Sequence, residues 1–313
     1  MFLHTVSAFG PHQKHTIHHP VSKTTFSIVP ACGGFLSELL VFYKDKMVNV
    51  IEGCNTYEEW QEDVYFKSTW LLPFPNRLKD GNYSFEGKNY QFPITDTNCH
   101  NALHGFVFDK TMKLQKVELT PSYAQVSLEY VYNGELAYYP FPFHLQIGYT
   151  LMDKQLIVDT KITNSGNTKI PIGIGFHPYF QFPSKVDALQ LQLPKCQKIE
   201  VEGKMIPTGK KMNYTHFEEK TTIGNLSLDT AFKANPTDSN SYKIHLTDPQ
   251  NGLQLTYFQD TIFPYFQVFT PSHRNSIAIE PMSCNVDAFN NGEGLTILER
   301  GETWAGSFGV EVS

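Results

Sequence analysis

The first chemical feature of this 313-residue chain is a carboxylate set straight after an apolar run. Glu280 follows Ile277-Ala278-Ile279 and precedes Pro281. Burying such a group unpaired is costly, and desolvation raises its proton affinity toward the range of a general base. The structural alternative is an ion pair with an arginine. His177 ends the run IPIGIGF and precedes Pro178, Tyr179 and Phe180, which puts a titratable imidazole at a strand end in apolar surroundings. That is the setting of a functional histidine, and equally of a core histidine bonded to a backbone carbonyl. His104, in Leu103-His104-Gly105, also reads as a turn residue. Arg77 follows Pro73 and Pro75 in a loop, from which its planar fork could reach vicinal hydroxyls or a carboxylate, or simply form a surface pair. Asp229, in LSLDTAF, is on its own a plain strand or loop carboxylate.

The elements that must position these residues are strands. Short runs rich in Val, Ile, Thr, Tyr and Phe recur between Gly, Pro, Asn and Asp. TTFSIVP, YSFEGKNYQFP, AQVSLEYVYN, FHLQIGYTLMDKQLIVDTKITNSGN, YKIHLTDPQNGLQLTYF and IAIEP read as strands or hairpins, with EGK, MDK and PQNG in the turns. The best helical stretch is a short one, residues 55–63, with Asn55 or Thr56 as N-cap and Glu58 and Glu59 in the first turn. Each of the 19 prolines is expected at a strand edge, a bulge or a loop, because proline cannot donate to a ladder. With no internal repeat, low-complexity tract or linker, residues 1–313 are expected to form one all-β domain, residues 1–20 being an N-terminal arm or first strand.

Composition narrows the function classes. A chain 41% hydrophobic and 18% charged can bury a sizeable core, and a net charge of -6 without a basic run excludes the electrostatic footprint of a nucleic-acid binder. Five cysteines without CxxC spacing indicate neither a disulfide framework nor a zinc site. His4, His12, His15, His18 and His19 offer no closed ligand set, so no metal is expected there. The opening MFLHTVSAFG lacks a basic start followed by a long apolar run, and no apolar stretch is long enough to span a bilayer as a helix. The expectation is a cytoplasmic enzyme without a membrane partner.

Taken in order, the segments resemble the aldose 1-epimerase (galactose mutarotase) family. Its pattern runs Asn-Arg, Leu-His-Gly, His-x-Tyr-Phe, an Asp and then Glu-Pro, here Asn76-Arg77, Leu103-His104-Gly105, His177-Pro178-Tyr179-Phe180, Asp229 and Glu280-Pro281. The likeness extends from Pro30-Ala31-Cys32-Gly33-Gly34 to the ending LERGETWAGSFGVEV. It implies a β-supersandwich of large twisted antiparallel sheets, with a sugar cleft on a concave face. It further implies interconversion of α and β anomers by ring opening and reclosure, which needs one base and one acid and no metal or organic cofactor. Glu280 would be the base, resting as carboxylate, and His177 the acid, resting as imidazolium, with His104 polarising the ring oxygen. Arg77, Asn76, Asp229 and Gln267 would bind sugar hydroxyls, and aromatics such as Phe106, Tyr179 and Phe180 would pack on the pyranose or belong to the core. Phe106 after Gly105, and Gly175-Phe176 before His177, depart from the galactose mutarotase pattern and suggest an outlying branch. The rival readings are a hexose-6-phosphate epimerase, a sugar-binding protein without turnover, and a lyase or isomerase acting on an acidic sugar. The resemblance leaves oligomeric state open.

Overall fold

Turn residues punctuate the chain so closely that the computed structural model, which describes residues 1–313, is built almost wholly of antiparallel strands. The EGK turn joins Asn82–Phe85 to Lys88–Gln91, with Glu86 and Gly87 both at positive φ, as a two-residue hairpin turn requires. PQNG joins Ser241–Thr247 to Gln254–Asp260, and MDK ends one long strand, Phe143–Met152, and starts the next, Gln155–Asn164. The expected helix forms at Tyr57–Gln61. Thr56 caps it by accepting from the Glu59 N–H, while the Glu59 carboxylate accepts from the Asn55 N–H at 2.7 Å. The N-terminal residues are a strand rather than an arm, since Leu3–Phe9 pairs with His12–His19 along its whole length.

Two large sheets dominate. The nine-stranded sheet begins Lys113–Leu119, Ala124–Tyr132, Phe143–Met152 and Gln155–Asn164, and then takes in the C-terminal strand Thr303–Val312. Its long strands alternate buried and open positions, as a sheet with one face on the core must. The eight-stranded sheet carries, side by side, Asp229–Ala234, Tyr265–Phe269, Ser276–Met282 and then both Gly175–Phe176 and Tyr179–Gln181. Here the pattern differs, because every residue of Ser276–Met282 is buried. That strand is covered on both faces, so a carboxylate within it has no open side to escape to. A five-stranded sheet from the first 49 residues and three two-stranded pairs complete the architecture, and both large sheets and the five-stranded one contribute to a single apolar cluster.

The prolines are not all where their chemistry predicts. Pro281 lies inside the central strand Ser276–Met282, opposite Phe266 on one side. Its missing N–H is tolerated because the facing segment is itself interrupted at Pro178, between Gly175–Phe176 and Tyr179–Gln181.

The loop carrying His104 is fixed by a close backbone approach. The Leu72 carbonyl accepts from the Phe106 N–H at 2.8 Å, and Gly105 holds φ +69° beside it. A Cβ on Gly105 would stand 2.0 Å from that carbonyl oxygen. Gly105→Ala therefore suffers both a left-handed backbone penalty and a clash, an expected loss of at least about 2 kcal/mol in urea unfolding. A change within about 0.5 kcal/mol would contradict this account of the turn.

Candidate functional site

Strand register assembles the site. The pairs Gly175 with Met282 and Tyr179 with Ala278 lie on either side of His177 and Glu280 and place these two directly across from each other. The backbone of His177 turns the other way: its N–H donates to the Thr69 carbonyl at 3.1 Å and its carbonyl accepts from the Ser68 N–H at 2.8 Å. The facing side chains thus occupy a position without ladder bonds between them, where antiparallel strands bring side chains closest. His177 Nε2 lies 3.3 Å from Glu280 Oε1. On the other flank Gln267 is the register partner of Glu280, and Gln267 Nε2 donates to Asp229 Oδ1 at 2.5 Å. A polar row therefore crosses the sheet from Asp229 through Gln267 and Glu280 to His177.

Two loops close the row. His104 sits edge-on to His177 with ring centroids 5.4 Å apart. The Asn76 backbone N–H donates to His104 Nδ1 at 3.1 Å, and the His104 N–H donates back to the Asn76 carbonyl at 2.8 Å. An acceptor Nδ1 assigns the ring proton of His104 to Nε2. Asn76 and His104 both hold positive φ, so each turns sharply to make this exchange. His104 is thus a turn residue that also lines the cleft. Arg77 is anchored by its Nε, which donates to Asp96 Oδ2 at 2.8 Å, and neither partner is at the surface. Against the cost of burial, that bond together with the Cys99 N–H holds the Asp96 carboxyl below its ordinary range.

All seven residues singled out from the sequence, Asn76, Arg77, His104, His177, Asp229, Gln267 and Glu280, line one cavity of about 320 Å³. That is at the small end of ligand clefts, which span about 300–1,000 Å³. The aromatic expectation needs correction. Tyr179 lines the cavity, stacked on His177 with centroids 4.8 Å apart. Phe106 instead packs among Tyr132, Tyr139 and Phe143, and Phe180 against Tyr257, because their side chains fall on the core side of their backbones. The sequence reading missed Tyr65, Phe66, Asn98 and Phe269 on the cavity wall. Phe269 could have been found, being two positions from Gln267 and hence on the same face of the strand.

Electrostatically the centre is dry. Glu280 is 2% exposed and His177 5%. Burial, reinforced by the Asp229 charge, pushes the Glu280 carboxyl well above its ordinary range, with Arg77 opposing. Burial pushes His177 down to about 3 and His104 well below its usual value. Burial therefore favours uncharged imidazoles and a protonated Glu280, the opposite direction from the imidazolium and carboxylate expected of this pair. Three buried polar atoms of residues lining this cavity have no protein partner: Glu280 Oε2, His177 Nδ1 and Gln267 Oε1. Buried groups left so carry a desolvation cost that a ligand rich in hydroxyls would relieve. With both histidines neutral, their imidazole NMR signals should stay constant from pH 8 to pH 5, whereas an ordinary imidazole titrates near 6.5. A midpoint between about 6 and 7 for either ring would refute the dry-site description.

Comparisons with known proteins agree with the fold. The family model for aldose 1-epimerase matches residues 13–311. The uncharacterized protein YihR of Escherichia coli K12 is 29% identical over 239 residues, 74% of each chain. A galactose mutarotase-like protein from Clostridium acetobutylicum superposes with a TM-score of 0.89 at 19% identity, over 100% of this chain and 98% of that one. Galactose 1-epimerase from Lactobacillus acidophilus superposes with a TM-score of 0.84 at 15% identity, over 100% and 98%. The all-β fold of large antiparallel sheets is the one these structures share. No helix is long and apolar enough to cross a membrane.

Proposed function

This chain belongs to the aldose 1-epimerase family, and from that premise we propose that it interconverts the α and β anomers of an aldose. The observation that carries the proposal is the Glu280–His177 pair, 3.3 Å apart in a dry cavity whose unpartnered atoms await hydroxyl groups. Ring opening needs a proton removed from the C1 hydroxyl and a proton supplied to the ring oxygen. One proton shared by the pair satisfies both demands. In the empty site burial favours the uncharged distribution, with that proton on Glu280. Sugar hydroxyls donating to Glu280 favour the carboxylate instead, and the proton passes to His177. Glu280 then takes the proton of the C1 hydroxyl, His177 protonates the ring oxygen, and the bond between C1 and the ring oxygen breaks to leave the open-chain aldehyde. Rotation about C1–C2 and the reverse transfers close the ring on the other face.

His104 presents Nε2–H as a fixed neutral donor to the ring oxygen, since Nδ1 is committed to Asn76. Gln267 and Asp229, on the far side of Glu280, suit the C2 and C3 hydroxyls. Asn76 serves chiefly to hold His104 and Arg77, its Oδ1 being taken by the Arg77 N–H at 2.9 Å. An uncharged aldose is favoured over a hexose phosphate because the cleft offers no uncommitted cation. Arg77 is held by Asp96, and Lys79 lies outside the cavity.

Freshly dissolved α-hexoses and α-pentoses followed by polarimetry or NMR should reach anomeric equilibrium faster with the protein than without it. Rates equal to the protein-free control across the panel would leave a sugar-binding role without turnover. Glu280→Gln should lower the rate about 10²- to 10⁴-fold, and full activity in that variant would show the base to be another group. The free pair works with one shared proton, resting on Glu280, so its loss as pH rises removes the acid, and gain of a second proton by His177 as pH falls removes the base. Because burial pushes His177 down to about 3, the acid limb of kcat/KM, which reports the free protein, should lie well below 6.5, and a limb near that ordinary imidazole value would rule out burial as the control on the pair.

A further inference from the structure

A second cavity of about 310 Å³ adjoins the cleft, lined by Trp60, Gln61, Asp63, Phe66, Phe108 and Asp109. Phe66 belongs to both cavities. Its ring stands edge-on to His104 at 4.8 Å and to Phe108 at 5.1 Å, so a single ring separates the two spaces. Phe66 holds φ +55°, a left-handed backbone that bulky residues seldom adopt, and this brings its ring to the shared wall. We propose that the second cavity is a subsite for a further neutral sugar ring, making the substrate a reducing disaccharide linked through its C5–C6 side.

The direction of the link follows from the order of residues and rests on the anomer-interconverting role of the site. With C1 at Glu280, Gln267 and Asp229 lie on one side and His177 and His104 on the other. The C2–C3 edge faces the former and the ring oxygen the latter. Beyond the ring oxygen comes C5, carrying C6, and beyond His104 comes Phe66. A substituent on C6 therefore passes over Phe66 into the second cavity, while C1 keeps the free hydroxyl that mutarotation requires.

The lining specifies the occupant. Trp60 is stacked on Tyr57 at 5.7 Å, which fixes its ring as a platform, and Phe108 supplies a second aromatic surface. Gln61 lines it from an exposed position, and Asp109, paired through one oxygen with Lys110 at 2.8 Å, turns a carboxylate toward sugar hydroxyls, whereas Asp63 is held by the Lys67 N–H at 2.9 Å. An anion is unsuited to this wall. Lys110 is already paired with Asp109 at 2.8 Å and Lys67 with Glu52 at 3.0 Å. A wholly apolar group would cover the Gln61 amide and the Asp109 carboxylate without bonding to either. The two cavities are nearly equal in volume, as two linked rings require.

The test compares anomer equilibration of glucose and galactose with that of isomaltose and melibiose, their 6-O-linked reducing relatives. The expected kcat/KM for a disaccharide exceeds that for the hexose about tenfold. Trp60→Ala and Asp109→Ala should each remove about threefold or more of that advantage while leaving hexose turnover unchanged. Should Trp60→Ala fail to fold, Gln61→Ala, at an exposed position, stands in for it. A disaccharide no better than the hexose, or variants that lower both substrates equally, would overturn the subsite and leave the mutarotase reading intact. If no sugar is equilibrated at all, that reading falls, and calorimetric titration with the same sugars decides the subsite alone. Disaccharide binding about tenfold tighter than hexose, lost in Trp60→Ala, upholds it, and equal or absent binding overturns it.

Discussion

The arrangement depends on one constraint, the register between the strand Ser276–Met282 and the interrupted strand that faces it. A slip of one residue would send Glu280 to the opposite face of the sheet, because successive side chains alternate. Two prolines, Pro178 and Pro281, stand beside the facing pair without breaking the register on either side. Each proline removes one donor from the ladder, the Ile279 N–H still donates to the Pro178 carbonyl at 3.3 Å, and the His177 backbone finds its partners in Ser68 and Thr69. That local exchange keeps two titratable side chains face to face inside a strand buried on both sides.

Burial then decides the electrostatics. A carboxyl and an imidazole 3.3 Å apart would at a wet surface rest as an ion pair, but removed from water each is driven toward its neutral form. The position of the shared proton becomes sensitive to what else touches the pair, and a hydroxyl-rich ligand is what tilts it. His104 is excluded from this exchange by its bond from Asn76, which makes it a donor of fixed polarity. Arg77 is likewise held in place by Asp96, a carboxylate that no reading of the chain alone connected with it.

Much of the fold was legible in the chain because its signals are local. The EGK, MDK and PQNG turns, the Thr56 cap and the period-two runs each act over a few residues, and each appears where expected. The proline rule failed at Pro281, where an interruption in a distant segment tolerates the missing donor. The aromatics divided for a similar reason. Phe106, Tyr179 and Phe180 all neighbour a site histidine in sequence, yet only Tyr179 shares a face with one.

The sequence by itself determined the strand-rich class, the polar residues out of keeping with their apolar neighbours, and the ordered set that resembles a sugar epimerase. These are matters of residue type and short-range spacing. Only the tertiary structure decided that seven residues spread from Asn76 to Glu280 share one cavity, that burial drives His177 toward its neutral form, and that a second aromatic cavity lies one ring away. Register, burial and the meeting of loops are set by contacts between segments far apart in the chain, and no local pattern of residues encodes them.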